Sequence, residues 1–318
     1  MVHQKWQLSK GVRWLVLVLL IGSLVLAACD DDNGENESTP VPTEPAEITL
    51  GLAVSNLSNP FFVSLRDGAQ TAAERLGVQL LVEDAQDNPE TQLEQIQSLI
   101  DQGVSALLIN PVGGEDVVPA IEAANEAGVP VFTLDRSAAG GDIVSHVASD
   151  NFAGGEMAGN HLAELLGRQG QVVELQGIPG TSAAEARGAG FNEAIAAYPD
   201  IAIIVQQTAN FDRAEGKEVF AAILEEQPEI DGVFAHNDEM LLGALEAARE
   251  AERAEDIVFI GFDAVEDAVT AVEDGELAAT IAQQPAEMGR LGVEAAVDYL
   301  NGEEVAESIP VDLALIIQ

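Results

Sequence analysis

The sequence predicts an α/β protein built as two similar lobes, each a doubly wound parallel sheet. Three observations point there. From Glu47 onward, short apolar runs of strand length alternate with longer amphipathic runs, with Gly or Pro at the joints. The alternation begins afresh after "IVSHVASD". In both halves the strand-like runs end on polar residues, which is where an open parallel sheet lines its crevice. A chain of 318 residues is long for one core and comfortable for two of roughly 100–150 each.

The elements follow in order. "ITLGLAV" is continuously apolar, as a strand covered on both faces must be. Asn59-Pro60 then opens an amphipathic helix over 61–76. "VQLLVE", a helix over 89–102 beginning at Pro89, "ALLIN", a helix over 115–127 and "VPVFTLD" continue the alternation. The second half runs through "QVVELQG", "IAIIVQQ", "GVFAHND" and "IVFIGFD", with helical stretches near 152–168, 181–197, 213–226 and 238–251. No close sequence repeat relates the halves.

The first 28 residues belong to neither half. Lys5, Lys10 and Arg13 precede an apolar run from Trp14 to Ile21, which continues through Gly22-Ser23 into "LVLAAC". The run is short of the roughly 20 residues a spanning helix needs, and its order of charge then apolar residues is that of an export signal. Cys29 is the only cysteine, so no internal disulfide is available, and no second metal ligand or base stands near it. Leu26-Ala27-Ala28-Cys29 resembles a bacterial lipobox, in which the cysteine is acylated and becomes the mature N-terminus. Residues 29–46, rich in Asp, Asn, Glu, Ser, Thr and Pro, cannot bury enough surface to fold and read as a tether. Loss of 1–28 removes three of the 13 Lys and Arg and none of the 55 Asp and Glu, so the formal charge moves from −42 to −45. Such a surface repels nucleic acid and anionic membrane faces alike, and serves as a solvated coat.

Candidate functional residues cluster at the strand ends. "ALLIN" ends in Asn110, "VFTLD" in Asp135 with Arg136 next, "GVFAHND" in Asn237-Asp238 and "IVFIGFD" in Asp263. Asn and Asp are also common turn and helix-capping residues, so each one alone is weak; their recurrence in both halves is the signal. With Asn59 and Arg187 added, the inventory is three amides, two carboxylates and two guanidiniums. The charges cancel, which suits a neutral ligand. Carboxylates and guanidiniums each bond two neighbouring hydroxyls, and amides both donate and accept, so the set matches a polyol or sugar. Phe61, Phe62 and Phe211 would supply flat faces for the C–H sides of such a ring. A buried-core role for the Phe61-Phe62 pair is the competing reading.

The segments "NPFFVSLRDGAQ", "LLINP", "TLDR", "VSHVASDN", "VELQGIPGTSAAEARG", "NFDR", "NDEMLLGAL", "GFD" and "LAATIAQQP" resemble the D-ribose-binding proteins of bacterial ABC importers, which are type I periplasmic binding proteins. The resemblance runs from Ile48 to Gln318. It implies two lobes joined by a hinge with three crossovers, near Ser149-Asp150, Gln283-Gln284 and Asp312. The lobes would be 47–149 with 284–312, and 150–283 with 313–318. The implied sugar contacts are Asn59, Phe61, Phe62, Asn110, Asp135, Arg136, Arg187, Phe211, Asn237, Asp263 and Gln283, the last on the resemblance alone. It also implies a monomer that hands a monosaccharide, D-ribose foremost, to an ABC permease and its ATPase from the outer face of the cytoplasmic membrane, with a chemoreceptor as a further candidate partner. His236 and Ala264 depart from the family's usual Gln and Gly, which leaves room for xylose, galactose, allose or a furanosyl autoinducer. No cofactor or metal is implied.

Two other classes compete. A glycosidase would use two carboxylates as acid and base, but Asp135 and Asp263 each have an arginine expected nearby, which predicts that both are ionised and leaves no proton donor. His3 lies in the signal, His146 in a strand and His161 in a helix; only His236 approaches the site, where a structural role is expected. "GIPGTS" and "RGAGF" lack the spacing of a phosphate loop. A sugar repressor would need a DNA-binding segment where this chain has its signal and acidic tether. The expectation is therefore a binding protein and not an enzyme.

Overall fold

The structure, a computed structural model, describes residues 47–318. The expected export signal, tether and acylated Cys29 lie outside these residues. Two six-stranded sheets form. The first contains β1 (Thr49–Val54), β2 (Gln79–Asp84), β3 (Ala106–Ile109), β4 (Val131–Leu134), β5 (Ser145–Ser149) and β11 (Ser308–Val311), in the order β11-β5-β4-β3-β1-β2. The second contains β6 (Gln169–Gln176), β7 (Asp200–Thr208), β8 (Gly232–Ala235), β9 (Val258–Asp263), β10 (Ala279–Ala282) and β12 (Ala314–Ile317), in the order β12-β10-β9-β8-β6-β7. The fold class read from the alternation of elements is the one found.

Helices α1 (Pro60–Leu76), α2 (Pro89–Asp101), α3 (Val118–Glu126) and α9 (Pro285–Leu300) cover the first sheet. Helices α4 (Asn151–Leu165), α5 (Ser182–Ala196), α6 (Arg213–Glu226), α7 (Asp238–Glu250) and α8 (Glu266–Glu273) cover the second. Each sheet has a buried apolar cluster on either face, which is why its strands read as unbroken apolar runs. Helix α1 shows how the sequence sets an element. Asn59 caps it, Pro60 occupies its first turn, Phe61, Phe62, Leu65, Ala69, Ala72 and Ala73 form its buried stripe, and Gly77 ends it at φ 70°.

The chain changes sheet three times, after β5, β10 and β11. The last change explains the one antiparallel pairing among the described strands, β12 against β10. Strand β11 runs parallel to β5, toward the junction of the lobes, and only Asp312-Leu313 separate it from β12. A link that short carries the chain straight across, so it enters the second sheet travelling away from the junction, against its neighbours. The remaining strands point their carboxyl ends at the junction, and the helices that follow them begin there.

Candidate functional site

Because strands end and helices start at the same edge, the cleft between the lobes is furnished by strand-end residues and helix caps. Asn59, Phe61, Phe62, Asp135 and Arg136 of the first lobe, and Ala183, Arg187, Phe211, Asn237 and Asp263 of the second, surround one narrow cavity. Asn110 and Gln283 stand behind this lining and bond to the two carboxylates that form part of it.

In the first lobe, Asn59 Oδ1 accepts the Phe61 N–H at 2.9 Å, so the residue is a cap and a cleft residue at once. The paired phenylalanines are edge to face, with centroids 5.1 Å apart. Both belong to the core cluster and both line the cavity, so burial in the core does not keep them from the cleft. Asn110 ties three strand ends: its Oδ1 accepts from Ser55 N–H (3.2 Å) while its Nδ2 donates to Leu134 O (3.1 Å) and Asp135 Oδ2 (3.4 Å). Arg136 donates to Pro111 O at 3.2 Å, and its Nε lies 3.9 Å from Asp135 Oδ2.

In the second lobe, Arg187 on α5 is held by Asn151 Oδ1 (2.7 Å) and by the carbonyl of His236 (2.6 Å), and reaches Asp263 Oδ1 at 3.5 Å. Its guanidinium lies 3.9 Å above the Phe262 ring. Asn237 Oδ1 caps α7 through Met240 N–H (3.0 Å), and its Nδ2 donates to Phe211 O (3.2 Å). Gln283 Nε2 donates to Asp263 Oδ1 at 2.8 Å. Gly177 makes room for the Phe211 ring, since a Cβ there would fall 2.0 Å from it. Three cleft residues adopt left-handed backbone, Asp135 at φ 61°, Phe211 at 61° and Asp263 at 113°. Such geometry costs on the order of 1–3 kcal/mol each and survives only where the surroundings enforce it.

The lobes also touch. The Arg136 guanidinium lies 5.2 Å from the ring centres of both Phe62 and Phe211, one from each lobe. Ser137 N–H donates to Ser182 Oγ at 2.9 Å across the cleft.

Both carboxylates are expected to be ionised; burial pushes each of them upward, and the arginines only partly oppose it. Asp263 rises to about 7. Desolvation is the largest influence on both, Arg187 is the main opposing charge for both, and the contacts of 3.5 and 3.9 Å are not bidentate ion pairs.

A periodic alternation of strands and helices is shared by many folds, whereas the likeness of this chain to known proteins is specific. The model of the periplasmic binding protein domain matches residues 50–304. The chain belongs to the periplasmic binding protein family. Among curated members it is 49% identical over 273 residues to the ribose import binding protein of Salmonella typhimurium, covering 86% of this chain and 92% of that protein. It is 43% identical over 299 residues to the ribose import binding protein of Bacillus subtilis, covering 94% and 97%. Among solved structures, an ABC transporter periplasmic solute-binding protein from Actinobacillus succinogenes with bound D-allose superposes with a TM-score of 0.81 at 32% identity, covering 85% of this chain and 98% of that one. These relatives are transport binding proteins, and this periplasmic binding protein is not an enzyme.

Two residues of the binding protein's cleft escaped sequence reasoning. Ala183 lines the cavity but carries no polar group to mark it. Asn151 anchors Arg187, and its only signal is its place just after β5, beside the Asp150 cap of α4. His236, expected to be structural, is buried with both ring nitrogens engaged.

Proposed function

We propose that this protein is an exported, lipid-anchored receptor that closes its two lobes on a neutral monosaccharide, D-ribose first, and delivers it to the permease and ATPase of an ABC importer. One observation carries the ligand class. Asp135 Oδ1, Arg136 Nε and Gln283 Oε1 are buried without hydrogen-bond partners, at the cavity or directly behind it. Two acceptors and one donor match adjacent hydroxyls, each of which both donates and accepts, and unmet buried groups of this kind are costly. The adjoining pocket, where Asp87, Asp212 and Glu239 outnumber Arg136 and Arg213, disfavours sugar phosphates. The proposed contacts are Asn59, Phe61, Phe62, Asp135, Arg136, Arg187, Phe211, Asn237, Asp263 and Gln283, with Asn110 setting Asp135. Ribose is favoured by the names of the relatives above. The lobes would comprise 47–149 with 284–312, and 150–283 with 313–318, closing as hinged bodies because both sets of contacts form only when shut.

Cys29 after Leu26-Ala27-Ala28 supports acylation, with 29–46 as the tether to the outer face of the cytoplasmic membrane. The receptor would act as a monomer, and a chemoreceptor is a second docking partner to test. Trp6 and Trp14, the only tryptophans, lie in the proposed signal, so calorimetry is the direct assay. D-ribose should give saturable heat and ribose 5-phosphate none, and Asp135→Ala should abolish the response while the thermal transition persists. Near-parent affinity in Asp135→Ala overturns the site. Heat with D-allose or xylose and none with D-ribose moves the ligand within the same receptor class.

A further inference from the structure

Beneath the second lobe's half of the cleft lies a buried polar network that the binding chemistry does not use. Glu174, at the centre of β6, is fully buried. Its Oε2 accepts from Gln206 Nε2 (2.6 Å) and Asn192 Nδ2 (2.9 Å), and its Oε1 meets His236 Nε2 at 2.8 Å. Burial alone would raise this carboxyl, but the bond from His236, aided by Gln206 and Asn192, holds it below the ordinary range. On the far side of the imidazole, Nδ1 accepts the Gly177 N–H at 3.3 Å. That acceptor role assigns the ring proton to Nε2, so the histidine is neutral and donates to Glu174. Burial pushes His236 down in the same sense. The charged groups facing the ring are Glu174 from β6 and Arg187 from α5.

Two of the cleft's side chains depend on this ring. The His236 carbonyl holds Arg187 Nη1, and Gly177, fixed by Nδ1, is the surface against which Phe211 lies. We propose that the Glu174–His236 pair is a positioning device for the ligand site: it fixes the Gly177 turn and the end of β8 so that Phe211 and Arg187 face the cavity already ordered. The pair touches no ligand and acts through those two residues. A satisfied buried network of this kind confers rigidity more than net stability, and what it contributes is affinity, because ordering a loop on binding would otherwise subtract from it. The proposal rests on the site assignment above but concerns different residues.

The test compares His236→Gln and His236→Leu in the full-length chain in detergent. Glutamine keeps one acceptor for Gly177 and one donor for Glu174; leucine keeps bulk and loses both. His236→Leu should weaken D-ribose binding by about tenfold or more and speed amide exchange at Gly177, whereas His236→Gln should restore both to within about threefold of the parent. Should the uncompensated Glu174 keep His236→Leu from folding, Glu174→Gln/His236→Leu removes that charge and serves in its place. Parent-like affinity in the leucine variant, unchanged exchange at Gly177, or a folded glutamine variant that fails to rescue overturns the proposal. If the parent ignores D-ribose and binds another sugar, the ligand reading fails, and the same variants are compared with that sugar. The Gly177 exchange measurement needs no sugar at all.

Discussion

In the first sheet, Asp135 follows β4 with its countercharge in the next residue, whereas in the second sheet Asp263 ends β9 and takes its countercharge from Arg187 on α5, 76 positions away. The two strands hold the same place in their sheets, third from the edge formed by β11 or β12. The aromatic residues differ in the same way. Phe61 and Phe62 sit in the regular first turn of α1, while Phe211 is held in a left-handed loop. In the first half the charged pair and the paired rings are each neighbours in sequence, although Asn110 joins their strand ends from a distance; in the second half the charged pair and the ring meet only once α5 and the loop before α6 are seated on the second sheet. The second half therefore couples ligand contacts to the stability of its lobe, and the first does so far less.

The largest test of that contrast is Arg187→Leu against Arg136→Leu. Losing Arg187 leaves Asn151 Oδ1 and the His236 carbonyl without their donor and Asp263 with only its Gln283 bond, and removing one partner from such a buried network costs about 3–5 kcal/mol. Arg136→Leu leaves Asp135 its Asn110 bond and should cost only about 1–2 kcal/mol. Both should abolish sugar binding. Equal losses in denaturant unfolding would erase the distinction between the lobes.

A smaller effect concerns proton linkage. Asp263 is raised in the folded state to about 7, above its unfolded value, so the folded protein binds the extra proton. The unliganded protein then loses stability as pH rises from about 4 to about 7, and the full penalty, on the order of 2–4 kcal/mol, is present above that window. Asp263→Asn should flatten this slope and stabilise the protein at alkaline pH while weakening the sugar. Unfolding titrations at either end of the window would show it, and a parent that gains stability with rising pH there sharpens the comparison against us.

The smallest effect is local. Ala264 stands at φ 55°, where a Cβ is strained. Ala264→Gly should stabilise the protein by about 0.5–1 kcal/mol with affinity unchanged, measured by thermal unfolding and calorimetry.

Legibility followed the same division. Asn110, Asp135 and Arg136 were found as polar ends of apolar runs, and that is also how β3 and β4 deliver them to the cleft edge. Asn59 and Asn237 looked like caps or cleft residues and are both, because in this topology a helix cap is a cleft position. Ala183 and Asn151 carried no pattern of their own. The arginine near Asp263 was legible in sequence, but the depth of burial that raises its carboxyl was not.

The sequence by itself determined the rhythm of strand and helix, the caps, the charge balance of the candidate residues and the membership of a family, because these depend on local propensity and on residue identity. Tertiary structure alone decided the reversed direction of β12, the pairing of Arg187 with Asp263, the left-handed turn at Phe211 and the raised carboxyls. Each of those depends on which surfaces meet and how much water their meeting removes, and neither quantity is written in any single stretch of chain.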